Sequence, residues 1–264
     1  MSDIKTNNVW LMKGDCLERM KEIESGSVDL TVTSPPYDNL RTYNNSLDWG
    51  EHVWKNVLQE LFRVTKQGGV VVWVVGDATI KGSETGTSFK QALYAKEIGF
   101  NLHDTMIYQT NKPPMNDKRY QSEFEYVFIF SKGKPKTVNL IREKTLATGK
   151  EKYTGTQQEN GKFTGYGKKR NLERDKYNIW SVKVGSNQTT KDKIAFKHPA
   201  IFPEQLANDH IISWSNEGDT VLDCFMGSGT TGKMSLINSR KFIGIEKDAE
   251  YFDIGTKRIL GATQ

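Results

Sequence analysis

The feature that most constrains the fold is a glycine-rich turn near the C-terminal end. Residues 223–234 read DCFMGSGTTGKM and continue the apolar segment TVLD, which predicts a strand that ends where the turn begins. A predicted helix, TGKMSLINS, and a second predicted strand, KFIGIE, follow. Only 32 residues (264 minus 232) remain after Gly232, too few for the rest of a doubly wound sheet. The other strands must come from upstream, which predicts a circularly permuted strand order.

The upstream chain alternates between strand and helix patterns. Apolar segments predict five further strands: NNVWLMKGD, VDLTVT, VVVWVVGD, LHDTMIYQ and FEYVFIFSK. Helical spacing occurs in CLERMKEI, WGEHVWKNVLQELFRVTK, SFKQALYAKEIGF, PEQLANDHIISWS and EYFDIGTKRIL. The chain therefore predicts an α/β fold with a doubly wound, mostly parallel seven-stranded sheet.

A basic region interrupts this alternation. Between Ser131 and Lys197 there are 17 Lys/Arg and 6 Asp/Glu, a charge of +11, whereas the whole chain carries +5. We therefore divide the chain into residues 1–131, an inserted region at 132–197, and residues 198–264. A basic block in an otherwise mildly acidic chain favours a polyanionic partner, and a solvated loop region is the alternative.

The glycine-rich turn also predicts a nucleoside site. Gly227, Gly229 and Gly232 match G-x-G-x-x-G between a strand and a helix, and Glu246 ends the next strand, 19 residues after Gly227. An acid at that place can accept hydrogen bonds from both ribose hydroxyls. A phosphate-binding P-loop would need Ser or Thr where Met234 stands. Dinucleotide dehydrogenases usually begin with such a unit, whereas here it ends the chain.

A second unusual segment is TSPPY, residues 33–37, at the end of the predicted strand VDLTVT. Each proline lacks a backbone N–H and has a fixed φ, so the segment is stiff and cannot continue a sheet. It presents one hydroxyl, carbonyl groups and an aromatic face. A loop that merely ends the strand is the alternative.

Composition bounds the cellular setting. No apolar run approaches the roughly 20 residues of a membrane span, and the N-terminal residues lack a secretory pattern. Cys16 and Cys224 make neither a disulfide framework nor a metal site, so a reducing, cytoplasmic location is expected and no metal is predicted.

Four ordered motifs together resemble the β group of DNA amino-methyltransferases. DCFMGSGTTG resembles their S-adenosylmethionine (AdoMet) motif, TSPPY their catalytic tetrapeptide, KHPAIFPEQL the motif of a preceding helix, and KGDCLERM a short Gly-Asp segment. The catalytic motif comes first, the basic insert second and the AdoMet motif last, as in that group. The resemblance covers nearly the whole chain outside the insert, and it implies the Rossmann-like methyltransferase sheet.

The resemblance also implies roles for individual residues. The implied catalytic residues are Ser34, Pro35, Pro36 and Tyr37, with the Ser34 hydroxyl and the Pro35 carbonyl accepting the amino hydrogens of a flipped-out base and Tyr37 stacking on that base. The implied cofactor-binding residues are Asp15, Cys16, Thr33, His198, Pro199, Asp223, Phe225, Gly227, Ser228, Gly229, Thr230 and Glu246. The resemblance further implies that residues 1–131 are the catalytic half and residues 198–264 the AdoMet-binding half of one domain. The basic insert at 132–197 is the candidate target-recognition region, with Lys168, Lys169 and Arg170 as the candidate DNA contacts.

The implied activity is methyl transfer from AdoMet to an exocyclic amino group in double-stranded DNA. Ser34 at the first tetrapeptide position favours cytosine N4 over adenine N6, which stays the alternative. Methylation at cytosine C5 needs a cysteine that typically follows a proline, whereas Cys16 and Cys224 both follow aspartate. A non-catalytic DNA-binding module and an RNA or protein methyltransferase are weaker readings. A restriction endonuclease acting separately is a candidate partner, a monomer or homodimer is expected, and a bacterial, archaeal or phage origin fits.

Overall fold

The computed structural model describes residues 3–37, 49–111, 119–120, 122–148, 152, 155–164, 169, 171–185 and 187–262. Within these residues the structure contains six α-helices and one 3₁₀ turn. Their bounds are α1 Cys16–Met20, α2 Glu51–Val64, α3 Thr87–Glu97, a 3₁₀ turn Lys193–Lys197, α4 Glu204–Trp214, α5 Thr230–Ile237 and α6 Ala249–Gly261. Among the described residues, every helix is too short or too polar to cross a bilayer.

The described strands comprise one large sheet and three short two-stranded ribbons. In chain order they are β1 Ile4–Lys5, β2 Val9–Lys13, β3 Val28–Thr33, β4 Thr65–Val75, β5 Thr79–Ile80, β6 Ser83–Glu84, β7 Asn101–Gln109, β8 Phe124–Ser131, β9 Arg142–Lys144, β10 Thr156–Gln157, β11 Phe163–Thr164, β12 Glu173–Asp175, β13 Ile179–Ser181, β14 Thr220–Asp223 and β15 Lys241–Glu246.

The large sheet has the order β1-β2-β15-β14-β3-β4-β8-β7-β13. The neighbours from β2 to β4 are all parallel, β8 is antiparallel to both β4 and β7, and β13 is parallel to β7. The C-terminal strands β14 and β15 lie between β2 and β3 from the N-terminal part of the chain. The predicted largely parallel α/β sheet in permuted order is therefore confirmed.

The sheet differs from the prediction at its two edges. All seven predicted strands are present, but β1 and β13 add a short strand on each side, so the sheet has nine strands within the described residues. Both added strands are two or three residues long. Segments of that length carry no measurable alternation of polar and apolar residues, so the sequence pattern does not reveal them.

Helices cover both faces of the sheet. Central strand β4 is buried from Val70 to Val75, which requires cover on each side. The helices α1, α2 and α3 form one packed series, while α4, α5 and α6 form another. On the face of the first series, Trp54 and Leu58 of α2 share a core with Val71 and Trp73 of the sheet. The result is a sandwich whose functional loops leave the carboxyl ends of the parallel strands.

The chain separates into two compact units, residues 1–139 with 178–264, and Leu140–Tyr177. The smaller unit lies within the region read as an insert at 132–197. It contains the ribbon of β9 and β12, where Arg174 pairs with Glu143 at 2.8 Å, and the ribbon of β10 and β11. Its proposed role in target recognition stays a prediction.

Candidate active site

Two loops leave neighbouring parallel strands on the same edge of the sheet. The tetrapeptide loop (residues 34–37) follows β3, and the glycine loop (residues 223–230) begins at the end of β14. These strands are paired directly, with Val221 opposite Leu30. A cavity of about 560 Å³ opens at this edge, and both loops line it. Parallel sheets bind ligands at such a place because the loops leaving neighbouring strands diverge there.

The glycine loop has a backbone shape that side chains would disturb. Gly227 has φ +49° and Gly229 has φ +77°, both in the left-handed region that favours glycine. A Cβ atom on Gly229 would lie 2.8 Å from the Cα and carbonyl oxygen of Gly255 in α6. A Cβ on Gly227 would lie 2.9 Å from His198 Nε2. The loop therefore packs against α6 and His198 more closely than any larger residue permits.

Glu246 lies at the cavity wall beside this loop. Its carboxylate accepts hydrogen bonds from the Gly227 N–H (2.8 Å) and the Asp248 N–H (2.8 Å). Burial raises the pKa of Glu246 to about 7, against the opposing effect of these two donors. The side chain lines the cavity and has acceptor capacity left, because a carboxylate accepts about four hydrogen bonds. It can therefore receive hydroxyl groups of a ligand, as the sequence predicts for a ribose.

Asp223 and Thr33 join the two loops. The Thr33 hydroxyl donates to Asp223 Oδ1 at 2.7 Å, and the Phe225 N–H donates to the same oxygen at 3.1 Å. Burial raises the pKa of Asp223 to about 6, and these hydrogen bonds oppose the rise. Thr33 is buried and is not among the cavity-lining residues, so its contact with the site runs through Asp223.

The tetrapeptide loop directs polar atoms into the cavity. Ser34, Pro36 and Tyr37 line it, while Pro35 is buried between them. Ser34 Oγ lies 2.9 Å from Tyr37 Oη, and the Tyr37 hydroxyl donates to Glu125 Oε2 at 2.9 Å. Glu125 belongs to β8 and also lines the cavity. These side chains make a hydrogen-bonded chain across the active-site end of the sheet.

The start of α1 forms another part of the wall. Asp15 caps this helix by accepting from the Leu17 N–H at 3.0 Å, and its other oxygen lies 3.4 Å from Lys247 Nζ. Burial and the neighbouring Asp15 carboxylate raise the pKa of Cys16 to about 12. A thiol with so high a pKa is not a nucleophile at neutral pH. Cys16 is therefore a small wall residue without thiolate chemistry.

The segment before α4 closes the cavity on the side of the glycine loop. The His198 ring meets the Tyr251 ring edge-on, with 4.3 Å between centroids, and His198 Nδ1 lies 2.9 Å from the Ala200 carbonyl oxygen. His198, Pro199 and Tyr251 all line the cavity. This segment follows the insert in sequence, yet it lines the same cavity as the tetrapeptide loop, which precedes the insert.

A buried arginine holds this segment to the glycine loop. Arg258 of α6, whose side chain is 1% exposed, donates to the Ser228 carbonyl (2.6 Å) and to Glu204 (2.8 Å) and Asp192 (3.1 Å). Lys233 contacts the same two carboxylates. Burial alone would raise the pKa of Asp192, but the hydrogen bonds from Lys233 and Arg258 outweigh it and lower the pKa. The charges are therefore mutually compensated.

Most of the residues predicted for the site line this cavity. They are Asp15, Cys16, Ser34, Pro36, Tyr37, His198, Pro199, Asp223, Phe225, Gly227, Ser228, Thr230 and Glu246. Thr33, Pro35 and Gly229 are not among the lining residues, although each adjoins one that is. Whether these residues bind and catalyse as expected stays a prediction.

Sequence reasoning missed several cavity residues, because their signals are not local. Trp49 meets Phe225 edge-on at 5.5 Å between centroids and lines the cavity with Tyr108, Glu125 and Tyr251. Glu125 has one weak sequence signal, as an acid inside the otherwise apolar strand FEYVFIFS. Nothing near Arg258 in sequence marks it as buried.

The candidate DNA contacts lie elsewhere in the chain. Lys169 is exposed and forms an isolated bridge with Lys152 in the smaller compact unit. Lys168 and Arg170 lie outside the described residues.

Comparisons with known proteins agree on one family. The family model for N6 and N4 methyltransferases, described as DNA methylase, matches residues 28–257. The orphan methyltransferase M.BamHII of Bacillus amyloliquefaciens is 56% identical over 248 residues, which cover 91% of this chain and 92% of the relative. The DNA adenine methyltransferase YhdJ of Escherichia coli is 28% identical over 257 residues, covering 94% and 82%.

Solved structures share the fold. The cytosine-N4-specific PvuII DNA methyltransferase matches with a TM-score of 0.72 at 22% identity, over 96% of this chain and 87% of that one. The M1.HpyAVI–SAM complex matches with a TM-score of 0.62 at 23% identity, over 95% and 98%.

Proposed function

Because this chain belongs to the N6/N4 family of DNA amino-methyltransferases, we propose that it methylates the N4 amino group of cytosine in double-stranded DNA, with adenine N6 as the second candidate. It is a DNA methyltransferase that uses AdoMet. The proposal concerns the base and the residues that act on it.

The cavity fits the cofactor. Its volume of about 560 Å³ lies within the range of small-molecule sites. We assign the ribose hydroxyls to Glu246 and a further part of the cofactor to the glycine loop, whose backbone shape is fixed by the close packing of Gly227 on His198 and of Gly229 on Gly255. Asp15 and Phe225 are assigned to the adenine and its surroundings. When bound, AdoMet supplies an electrophilic methyl group on a sulfonium.

Ser34 and Pro35 act on the amino group of the target base. The lone pair of an exocyclic amino nitrogen is delocalised into the ring, so the nitrogen is a poor nucleophile. We assign the Ser34 hydroxyl and the Pro35 carbonyl as acceptors of its two hydrogens, which draws electron density onto the nitrogen and stabilises the developing positive charge. The two prolines hold these acceptors in place without reorganisation. A base in a duplex must flip out to reach them, and Tyr37 offers it a stacking face.

The observation that carries cytosine N4 is the serine at position 34, whose hydroxyl lies at the cavity. In this family Ser-Pro-Pro-Tyr is associated mainly with cytosine N4. Adenine N6 remains the second candidate because YhdJ, a relative named as a DNA adenine methyltransferase, aligns over 94% of this chain. Either base presents an amino group that a hydroxyl and a carbonyl can serve.

The DNA-facing surface is assigned to the basic region around Lys169. Its +11 charge would neutralise phosphates and make binding depend on salt. Some relatives are named type II methyltransferases, whereas M.BamHII is named an orphan. A separate cognate endonuclease, a monomeric or dimeric state and a cytoplasmic location in a bacterial, archaeal or phage-infected cell stay proposals.

The test is to express the chain in a host without DNA methylation and identify the modified nucleoside by mass spectrometry. N4-methylcytosine is expected, and sequencing of the same DNA gives the target site. N6-methyladenine would replace the base assignment.

Ser34→Ala should slow single-turnover methyl transfer by about 10²–10³-fold, because one preorganised polar partner is lost. Its affinity for AdoMet should be unchanged, and a wild-type rate would remove Ser34 from the mechanism.

A further inference from the structure

A row of three oxygen-bearing side chains crosses the active-site end of the sheet. Ser34 Oγ lies 2.9 Å from Tyr37 Oη, and Tyr37 Oη lies 2.9 Å from Glu125 Oε2. All three residues line the cavity. Glu125 comes from β8, 88 positions away from Tyr37 in sequence, so the fold alone brings it there.

The chemistry of the three groups sets the direction of the hydrogen bonds. The Tyr37 hydroxyl donates its hydrogen to Glu125 Oε2, which is an acceptor. A phenol has one such hydrogen, and the Tyr37 oxygen is therefore left as an acceptor toward Ser34. The Ser34 hydroxyl hydrogen consequently points to Tyr37. The lone pairs of Ser34 Oγ stay available to the cavity.

We propose that Glu125 is a positioning residue that, through the Tyr37 hydroxyl, holds the Ser34 hydroxyl as a hydrogen-bond acceptor for the target amino group. The inference rests on the proposed function of Ser34. It adds a second role to Tyr37, whose ring was assigned only to stacking on the base.

The orientation matters because a serine hydroxyl can act in two opposite ways. With its hydrogen held by Tyr37, Ser34 accepts an N–H of the amino group and raises the electron density on nitrogen. With its hydrogen free, Ser34 can donate to the nitrogen lone pair, which is the pair that must attack the methyl group. Such a hydrogen bond would lower the nucleophilicity of the nitrogen. Glu125 selects the productive orientation for cytosine and adenine alike.

The surroundings support a fixed arrangement. Gly76, just after β4, faces both partners: a Cβ atom there would lie 3.4 Å from Tyr37 Cδ2 and 3.9 Å from Glu125 Cγ. The tyrosine ring therefore packs over Gly76 at a distance that leaves room for no more than a methyl group. Burial, together with the nearby Glu125 carboxylate, raises the pKa of Tyr108. The Tyr108 phenol beside Ser34, Tyr37 and Glu125 is therefore neutral.

The experiment compares two substitutions at Glu125. Glu125→Leu removes the acceptor, and we expect single-turnover transfer to slow by roughly tenfold or more, on a duplex carrying the site found by sequencing. Glu125→Gln keeps one oxygen that can accept from Tyr37, so its rate should lie above that of Glu125→Leu. Tyr37→Phe keeps the stacking ring and should slow transfer about as much as Glu125→Leu. For all three variants, AdoMet affinity and thermal stability should match those of the control variant Glu123→Gln, which changes an exposed neighbouring residue.

A double-mutant cycle separates positioning from a merely structural role. If Glu125 and Tyr37 act through Ser34, then Glu125→Leu and Tyr37→Phe should cause no further loss in a Ser34→Ala background. A loss as large as in the wild type would overturn the inference, as would a wild-type rate for Tyr37→Phe. A wild-type rate for Ser34→Ala would overturn it too. The methylated nucleoside of the wild type tests the proposed base separately, because N6-methyladenine would leave the role of Glu125 standing.

Discussion

The two loops that line the cavity leave adjacent strands, yet they are held by different means. The glycine loop is fixed through its backbone: the Gly227 N–H binds Glu246, the Met226 N–H binds the Ile245 carbonyl, and Arg258 binds the Ser228 carbonyl. The tetrapeptide loop has two prolines that offer no N–H, and its described contacts run through side chains, from Ser34 to Tyr37 to Glu125.

This difference matches the role that we propose for each loop. In the proposed binding role, the glycine loop must keep a fixed backbone shape close to His198 and α6, which a Cβ at Gly227 or Gly229 would disturb. A loop that activates a poor nucleophile needs polar side-chain atoms at defined positions, which prolines support by limiting the backbone. The Thr33 hydroxyl on Asp223 links the two loops. We therefore expect substitutions in the glycine loop to change AdoMet affinity, and substitutions in the tetrapeptide loop to change the rate of methyl transfer.

The largest effect is expected for Arg258→Met, which removes the buried cation behind the glycine loop. Asp192 and Glu204 would keep Lys233 but lose their second partner, and the Ser228 carbonyl would lose its donor. Breaking a buried ion network costs about 3–5 kcal/mol, so the free energy of unfolding should fall by about that amount. Chemical denaturation measures the change, with the exposed neighbour Lys257→Met as control.

The same variant tests the separation of the loops. AdoMet affinity should fall, because the carbonyl of Ser228 is no longer held. At saturating AdoMet, single-turnover transfer should return close to the wild-type rate, because the tetrapeptide loop keeps its own contacts. An equal loss of rate at saturation would show that the two loops are not held independently.

A smaller effect is expected for Gly229→Ala, judged against Gly218→Ala. Both glycines have φ near +80° (+77° and +83°), so alanine brings similar backbone strain of about 1–2 kcal/mol at either position. A Cβ on Gly218 meets nothing within 4 Å, whereas one on Gly229 meets the Gly255 backbone at 2.8 Å. Gly229→Ala should therefore cost about 1–3 kcal/mol more in stability.

Calorimetry completes this comparison. Gly229→Ala should also weaken AdoMet binding, while Gly218→Ala should bind as the wild type does. Equal affinities for the two variants would mean that the glycine loop tolerates displacement, and that its shape does not set the site.

The parts of the site that the sequence predicts are those with local causes. The glycine loop is visible because strand, glycines, helix and Glu246 follow one another within 27 residues (220 to 246). The strands that carry both loops show as apolar runs. By contrast, Glu125 is 88 positions from Tyr37, and Arg258 is 66 positions from Asp192. Such contacts depend on how the sheet and helices pack, and no pattern near these residues records them.

The smallest expected effect concerns the charge of Glu246. The ionised carboxylate accepts hydrogen bonds from the Gly227 and Asp248 N–H groups and, in our proposal, from the ribose hydroxyls. Because burial raises its pKa to about 7, protonation begins near neutral pH. AdoMet affinity should therefore fall as the pH decreases below 7, by at most about tenfold per pH unit. Calorimetry at several pH values measures this, and Glu246→Gln should lack that part of the pH dependence.

Without AdoMet, the Glu246 carboxyl group gives folding stability the opposite pH dependence, because its contribution to stability decreases as the pH rises. The folded pKa of about 7 exceeds the ordinary value of 4.5, so the folded chain binds this proton more tightly than the unfolded chain does. Its contribution to stability is present below about pH 4.5 and is lost as the pH rises through about 7. Asp223, whose pKa is raised to about 6, contributes in the same direction in the wild type and in Glu246→Gln, and its charge is one of the causes that raise the pKa of Glu246. Ligand-free wild type should thus lose stability relative to Glu246→Gln between about pH 4.5 and pH 7, while the stabilisation by AdoMet increases with pH. Parallel stability curves would mean that Glu246 does not titrate in this range, and the glycine loop would then hold its ligand through backbone shape alone.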